Sequence, residues 1–337
     1  MVTAVEHPIA VSVIIPTVGR PTLLKRAINS CLYGKHALAT EVIVVPNGAD
    51  DSWPTVRNEY AADPRVRFEY SPTPDQNVAR NLGIKLARGE LVRFLDDDDY
   101  LFPEAASAQY AHMLLQDLDF CSAGATLTDQ HDKSLGELPQ PETDSPEIAA
   151  LSRKRLQLPF THVYRRNSIG NLRWPVGVRQ SEDIVWLIRY ATAAPRRWKR
   201  MDASVGAWYQ HAGHRQSLDK PSGVVHEVTA KELLDACLIL QAQGRWSDEL
   251  ATVVAEALWA VSHRAFPFRP RYWTNIATQA MRLDTEARPD APVYRYPVLH
   301  ALDPRALMWL LLPKRLVSLS LSLARGALFG RDYRRTL

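Results

Sequence analysis

With 337 residues, 46% of them hydrophobic and 23% charged, the chain has the size and composition of a folded protein with one large α/β domain and room for a helical appendage. A formal net charge of +4 is too small an excess to mark a dedicated nucleic-acid binder, whose basic residues would also concentrate in one stripe. Cys31, Cys121 and Cys237 are scattered and odd in number, without CxxC spacing, which argues against a zinc site or a disulfide framework and fits a reducing compartment.

The opening "MVTAVEHPIA" has neither a basic start nor a long apolar core, so no signal peptide is expected. "VSVII" (11–15) is a β-branched run suited to a buried strand and closed by Pro16. From Pro21 to about Leu32, the residues Leu23, Leu24, Ala27, Ile28 and Cys31 recur at helical spacing, with Pro21 in the first turn. "EVIVV" (41–45) repeats the strand signature and stops at the turn signal "PNG". "VRFEY" (66–70) alternates as a third strand, Asn77 to Arg88 reads as a helix ended by Gly89, and "LVRFL" (91–95) is a fourth strand. A helix led by Pro103 and a fifth strand, "DFCSAGATL" (119–127), follow. The alternation predicts a mostly parallel sheet with helices on both faces. Residues 128–150 are polar and proline-bearing and read as a mobile loop; from "PFTHVYRR" to about residue 220 the chain is rich in Arg, Trp and His. Beyond about residue 224 it reads as mainly helical, with no apolar stretch near the ~20 residues of a membrane-spanning helix. The expectation is a cytoplasmic protein.

The run "FLDDDDYLFP" (94–103) places four mutually repelling carboxylates directly after a strand. In an open α/β sheet, ligands bind beyond the carboxyl ends of the strands. If the chain stays extended there, Asp96 and Asp98 share one side and Asp97 and Asp99 the other. Two carboxylates one residue apart form part of a cage for Mg²⁺ or Mn²⁺, and the ion would relieve their repulsion. The plainer alternative is an acidic turn feeding the helix at Pro103, although one carboxylate suffices for a cap.

"VSVIIPT", "EVIVVPNG" and "ARNLGIKLARGELVRFLDDDDYLFPEA", in this order, resemble the inverting family 2 glycosyltransferases with a GT-A fold. The resemblance is clear over residues 11–127 and weaker to about 220. It implies a nucleoside diphosphate sugar at the strand ends and a DxD-type motif that holds Mg²⁺ or Mn²⁺ against the pyrophosphate. Carried over, Asp98 is the main metal ligand and Asp96 contacts the ribose or the metal, with Asp97 and Asp99 in support. Pro16 and Thr17 match the first nucleoside-contacting loop, and Arg80 and Asn81 the polar "ARN" element. Many relatives carry two acidic residues after the second strand where this chain has Pro46 and Asn47. Asn47 therefore stands either as a base contact or as a turn residue ahead of Gly48.

"RQSEDIVWLIRYA" (179–191) offers Ser181 as an N-cap and then two acids in a first helical turn. Such acids satisfy the helix dipole alone; they also resemble the family's "ED" element, which makes Asp183 the general base and Glu182 its partner. "WYQHAGHRQS" (208–217) resembles the stretch where relatives close a histidine over the pyrophosphate or the metal. His211 fits that place better than His214, and Arg215 and Ser217 suit phosphate oxygens; a solvated loop is the alternative. In "THVYRRNSIGNLRWP" (161–175), His162, Arg165 and Trp174 are acceptor-side candidates, but this chain reads Leu-Arg-Trp where many relatives have "GGF", and core packing is the other reading for Trp174. Near the C-terminus, Leu316, Leu319, Leu323 and Ala327 fall on one helical face with Lys314, Arg315, Ser318, Ser322 and Arg325 on the other, which suits either an anionic membrane surface or packing on protein.

These readings predict a GT-A domain over 1–223, with a nucleotide-sugar half at 1–127 and an acceptor and catalytic half at 151–223. A helical region at 224–337 would include an amphipathic helix at 306–329, lying peripherally at the inner face of the cell membrane. The expected activity is inverting, metal-dependent transfer of a sugar to a hydroxyl of a saccharide or lipid-linked acceptor, in cell-envelope polysaccharide or glycolipid synthesis. Two rivals are a non-catalytic nucleotide-sugar-binding scaffold and a sugar-1-phosphate nucleotidyltransferase. The single glycine of "PTVGRPTLLKR" disfavours the second rival.

Overall fold

The computed structural model describes residues 9–32, 39–211 and 223–329, and the chain divides into two compact units, residues 1–150 with 154–219 and residues 151–153 with 220–337. In the first unit β1 (Val11–Thr17), α1 (Pro21–Leu32), β2 (Thr40–Pro46), α2 (Trp53–Glu59), β3 (Val66–Phe68), α3 (Gln76–Leu86) and β4 (Leu91–Phe94) alternate. Their four strands run parallel in the order β3-β2-β1-β4. Then follow β5 (Tyr100–Leu101), α4 (Pro103–Leu115), β6 (Phe120–Thr128), β7 (Ser134–Leu138), α5 (Pro146–Leu151), β8 (His162–Arg165), α6 (Arg166–Ile169), α7 (Glu182–Ala193) and β9 (Trp198–Tyr209). β8 joins β4 and β6 antiparallel, β9 lies parallel to β6, and β5 closes that edge antiparallel to β9.

Both faces of the parallel strands are covered, which is why they read as unbroken apolar runs. Val11, Val13 and Ile15 pack with Leu24, Ala27 and Ile28 of α1 and Tyr110 and Met113 of α4. On the other face Ile14, Ile43, Val45 and Phe94 pack with Ala79 and Ile84 of α3 and Trp186 and Tyr190 of α7. Pro16 and Pro46 lie inside their strands, paired with Val45 and Thr17, rather than beyond them. The expected loop at 128–150 contains structure: β7 pairs with β6, and α5 follows. β7 was hidden because its exposed "SLGEL" lacks the apolar alternation of a half-buried strand.

α3 is shorter than its periodicity suggested, ending at Leu86 with Ala87 as C-cap. Gly89, expected to stop it, instead lets the chain pass β1, for a Cβ there would lie 2.6 Å from the Ser12 nitrogen. Inside α3, a Cβ on Gly83 would lie 2.3 Å from Ile14 Cγ2. The second unit consists of α8 (Gly223–Ala242), α9 (Asp248–Ala265), α10 (Pro270–Leu283), α11 (Pro297–His300), α12 (Pro304–Leu310) and α13 (Leu312–Phe329), with Leu233, Leu258, Trp259 and Trp273 buried. Among the described residues no helix is long and apolar enough to cross a membrane.

Gly83→Ala sets two effects against each other. Helix propensity favours alanine by ~1 kcal/mol, whereas forcing a methyl into a packed contact costs ~1–3 kcal/mol. The contact with Ile14 is close enough for the second to win. We expect a lowered urea midpoint, equivalent to a net loss of up to ~2 kcal/mol; a midpoint unchanged or raised would contradict the packing described.

Candidate active site

β4 ends at Phe94, and the Asp99 amide then donates to the Asp96 carbonyl at 3.1 Å. The four aspartates therefore form a tight turn, and the side-to-side alternation expected of an extended chain does not occur. Asp97 and Asp98 meet the same guanidinium, with Arg20 Nη1 2.9 Å from Asp97 Oδ1 and 2.6 Å from Asp98 Oδ2. Asp97 is buried and also accepts from Thr17 Oγ1 at 2.6 Å and from the Val18 amide at 3.3 Å. Burial pushes its carboxyl up to about 7 against the pull of Arg20. Burial alone would lower Arg20, but Asp97 and Asp98 hold it above its ordinary value, so the guanidinium stays charged.

Asp98 Oδ2 also lies 3.1 Å from His211 Nε2. Arg26 secures the turn from behind: its guanidinium lies 4.3 Å from the Tyr100 ring and 3.7 Å from that of Tyr209, and Nη2 donates to the Asp98 carbonyl at 3.2 Å. Asp99 is buried, and its carboxylate accepts from the Tyr209 amide at 3.0 Å, fixing the turn to the end of β9.

Asp96 turns instead to Arg80, whose Nη2 donates to it at 2.6 Å. Arg80 is buried on α3, with Nη1 3.3 Å from Asn77 Oδ1 and 3.7 Å from Glu182 Oε1. Its guanidinium lies 4.3 Å from the Trp174 ring, which stacks on Trp186 of α7 at 4.7 Å and 4°. Neighbouring α3 residues hold the segment after Trp174. Asp75, the N-cap, accepts from the Asn77 amide at 2.7 Å and, through its other oxygen, from the Gly177 amide at 2.7 Å. Asn77 Nδ2 donates to the carbonyls of Pro175 and Val178 at 2.9 and 2.8 Å. Asn81 bonds both the amide and the carbonyl of Trp174, at 2.8 and 3.0 Å.

α7 brings the remaining acids. Ser181 precedes it in a left-handed conformation, φ +66°, and makes no side-chain cap bond, contrary to its expected role. Glu182 accepts from Gln76 Nε2, and Asp183 Oδ1 accepts from the Ile184 amide at 2.8 Å. Burial raises both carboxyls, Glu182 to about 8 with the Asp183 charge adding to the rise, and Asp183 to about 6 against the pull of the Ile184 amide.

Several expected contacts are differently used. His162 is buried, its Nε2 2.9 Å from the Leu156 carbonyl and its Nδ1 2.8 Å from Ser122 Oγ, which itself accepts from Trp198 Nε1 at 2.9 Å. This chain of donors makes it a neutral core histidine. Trp174 is a core aromatic, and Asn81 serves its backbone. Arg165 sits at the other end of β8 with Glu90. Asn47 is buried, and its Nδ2 donates to the Thr17 carbonyl at 3.0 Å, so its amide group ties β2 to β1. His214, Arg215 and Ser217 lie outside the described residues. Sequence reading missed Arg20, Gln76 and Asn77. The only signal for Arg20 was its position directly after the strand-end loop, and Gln76 and Asn77 sit where a polar first turn needs no explanation.

Of the three expected metal ligands, Asp98 and His211 converge and Asp96 does not. A separation of 3.1 Å between Oδ2 and Nε2 matches neighbouring ligand atoms around a six-coordinate ion with bonds of ~2.1 Å. Among the described residues no three His, Cys, Asp or Glu side chains gather around one such point. A carboxylate oxygen beside an imidazole nitrogen suits Mn²⁺ better than Mg²⁺, whose ligands are oxygens, with phosphate oxygens and water completing the shell.

A parallel sheet half with an acidic turn beyond its strand ends, joined to a mixed half, is the GT-A glycosyltransferase architecture. TarS 1–349 from S. aureus, in complex with UDP-GlcNAc, matches it with a TM-score of 0.64 at 20% identity, over 89% of this chain and 88% of that one. The mannosyltransferase PcManGT from Pyrobaculum calidifontis, in complex with GDP-Man and Mn²⁺, gives 0.51 at 14% identity over 98% and 84%. Residues 12–162 match the family described as glycosyl transferase family 2. An uncharacterized Escherichia coli K12 glycosyltransferase, YibD, is 28% identical over 51% of this chain and 54% of its own. A Campylobacter jejuni GalNAc(5)-diNAcBac-PP-undecaprenol β-1,3-glucosyltransferase is 37% identical over 30% and 36%. The chain spans about half the length of the first two curated relatives it matches, 54% and 48%.

The His162 ring gives this fold a defined acid sensitivity. Burial lowers it from 6.5 to about 4, so the stability it contributes is complete above 6.5 and is lost as pH falls toward 4. The loss amounts to ~3 kcal/mol at most. His162→Gln retains a donor and an acceptor without the titration. Its unfolding free energy should fall less steeply between pH 7 and pH 5 than that of the parent, and parallel slopes would contradict the assignment.

Proposed function

We propose that the chain transfers a sugar, with inversion, from a nucleoside diphosphate sugar to an acceptor hydroxyl. What carries this reading is Arg80, which ties Asp96 of the aspartate turn to Glu182 of α7 and so sets a donor-side acidic turn beside a carboxyl pair suited to proton transfer. Thr17, Asp96 and Asp97 would meet the nucleoside. Asp98 and His211 would hold a divalent ion, which when bound supplies Lewis acidity to the departing diphosphate. Asp183, with the lower value of the carboxyl pair, would be ionised near neutrality, while Glu182 would keep its proton and add no second charge. In the transfer, a bond forms between the acceptor oxygen and the anomeric carbon as the bond from that carbon to the phosphate oxygen breaks. The hydroxyl proton goes to Asp183 and the electron pair leaves with the diphosphate.

Isothermal titration with a panel of UDP- and GDP-sugars, with and without Mn²⁺, tests the donor side; no binding by any nucleotide would sink the proposal. For the base, Asp183→Asn should retain nucleotide affinity within about twofold yet lose ~10²–10⁴-fold in kcat. Because the base works deprotonated, kcat/KM of the parent should rise with pH through the region near 6. Full transfer by Asp183→Asn would remove the assignment.

The acceptor would be a lipid-linked saccharide of the cell envelope. Two facts support this: the undecaprenol-linked substrate in the name of the Campylobacter relative, and the exposed Leu310, Leu316, Val317 and Leu321 of α12 and α13 beside exposed Lys314. Arg315, expected on the lipid-facing basic side, instead donates to the His263 carbonyl at 2.5 Å. The side chains of Ser322, Leu323, Arg325 and Ala327 lie outside the described residues. Flotation with vesicles containing anionic lipid should recover the full chain, and changing Leu316, Val317 and Leu321 together to serine should reduce recovery at least about fivefold. Equal recovery would exclude this surface as the lipid contact.

A further inference from the structure

We propose that Arg20 is a resident cation of the diphosphate pocket: it pairs with Asp98 while no donor is bound, then yields that carboxylate to the metal and moves onto a phosphate oxygen. The inference rests on the reading above of Asp98 and His211 as the metal seat. Asp98 Oδ2, the atom that faces His211 Nε2 at 3.1 Å, is the same atom that accepts from Arg20 Nη1 at 2.6 Å. A guanidinium and a divalent ion on one carboxylate oxygen would repel strongly at such range, so each excludes the other.

The two carboxylates that Arg20 bridges would not be equally affected by its departure. Asp97 keeps Thr17 Oγ1 and the Val18 amide, both independent of Arg20, so it stays anchored. Asp98 would exchange one cation for another of higher charge. The arginine is placed for such a move. It stands one residue ahead of α1, directly after Gly19 at φ +66°, and its side chain remains 25% exposed. Its planar fork also matches phosphate oxygens as well as it matches carboxylates.

The consequence is a thermodynamic coupling: metal alone binds weakly because it must displace Arg20, whereas metal with diphosphate binds well because the displaced guanidinium finds a new partner. The test uses the full chain and Arg20→Gln, with Mn²⁺ titrations followed by electron paramagnetic resonance without nucleotide. UDP and GDP are then titrated at saturating Mn²⁺. Arg20→Gln should bind Mn²⁺ alone at least ~10-fold more tightly, as expected on removing an adjacent positive charge. At saturating metal it should bind the nucleotide ~10-fold more weakly, as for a lost charge-assisted phosphate contact. Arg20→Lys, which keeps the charge without the fork, should leave Mn²⁺ binding weak, and Arg20→Met supplies the uncharged comparison if the glutamine variant does not fold.

Mn²⁺ affinities within twofold of each other for parent and Arg20→Gln would overturn the exchange. A gain in Mn²⁺ affinity with unchanged nucleotide affinity would overturn the hand-over to phosphate. If no variant binds Mn²⁺ even with nucleotide present, the metal seat itself is wrong and the inference falls with it, a result distinct from the other two.

Discussion

Arg80 is a guanidinium almost wholly withdrawn from water, and it answers carboxyl groups contributed by residues 96 and 182, far apart in the chain. A buried charge of this kind persists only if its surroundings supply opposite charge and hydrogen bonds. Asp96, Asn77 and the face of Trp174 supply them here. Taking the arginine away would leave the charge of Asp96 facing Asp183, whose own ionisation burial already disfavours. The acidic turn and the start of α7 can share one end of the sheet because this cation lies between them.

Beneath that ion pair the support is aromatic. Phe94, the last residue of β4, meets Trp174 at 5.0 Å and Trp186 at 5.3 Å, both edge-on, and the two indoles stack on each other. Trp186 follows Asp183 by three residues and lies on the inward side of α7, so the position of the carboxyl pair is set by ring packing rather than by a side-chain cap. The left-handed Ser181 fits this view, since a non-glycine residue costs ~1–2 kcal/mol there and persists only where packing on either side dictates the chain path.

Much of the parallel half was legible because both of its faces are buried, so its strands declare themselves as apolar runs. The acidic knot and the Glu182–Asp183 pair stood out as excess charge at element ends. What was not legible depended on side chains meeting across the fold. Four consecutive aspartates suggested alternation; only the hydrogen bond from the Asp99 amide to the Asp96 carbonyl makes them a turn that presents two carboxylates to one arginine. His162 and Trp174 carry chemistry that suits carbohydrates, and periodicity cannot say whether such a residue faces a cleft or a core. β7 escaped notice for the opposite reason, being exposed and without pattern.

The bonds from Asp75, Asn77 and Asn81 to the stretch 174–178 have a mechanical corollary. The helix that presents Arg80 also grips residues 174–178, so segment and helix are one mechanical piece. Residues 174–178 cannot sag without disturbing that helix, and Gly83 seated on Ile14 holds the helix to the sheet. The loop carrying Arg20 is fastened separately, to Asp50, Asp97 and Asp98, and so does not travel with that piece.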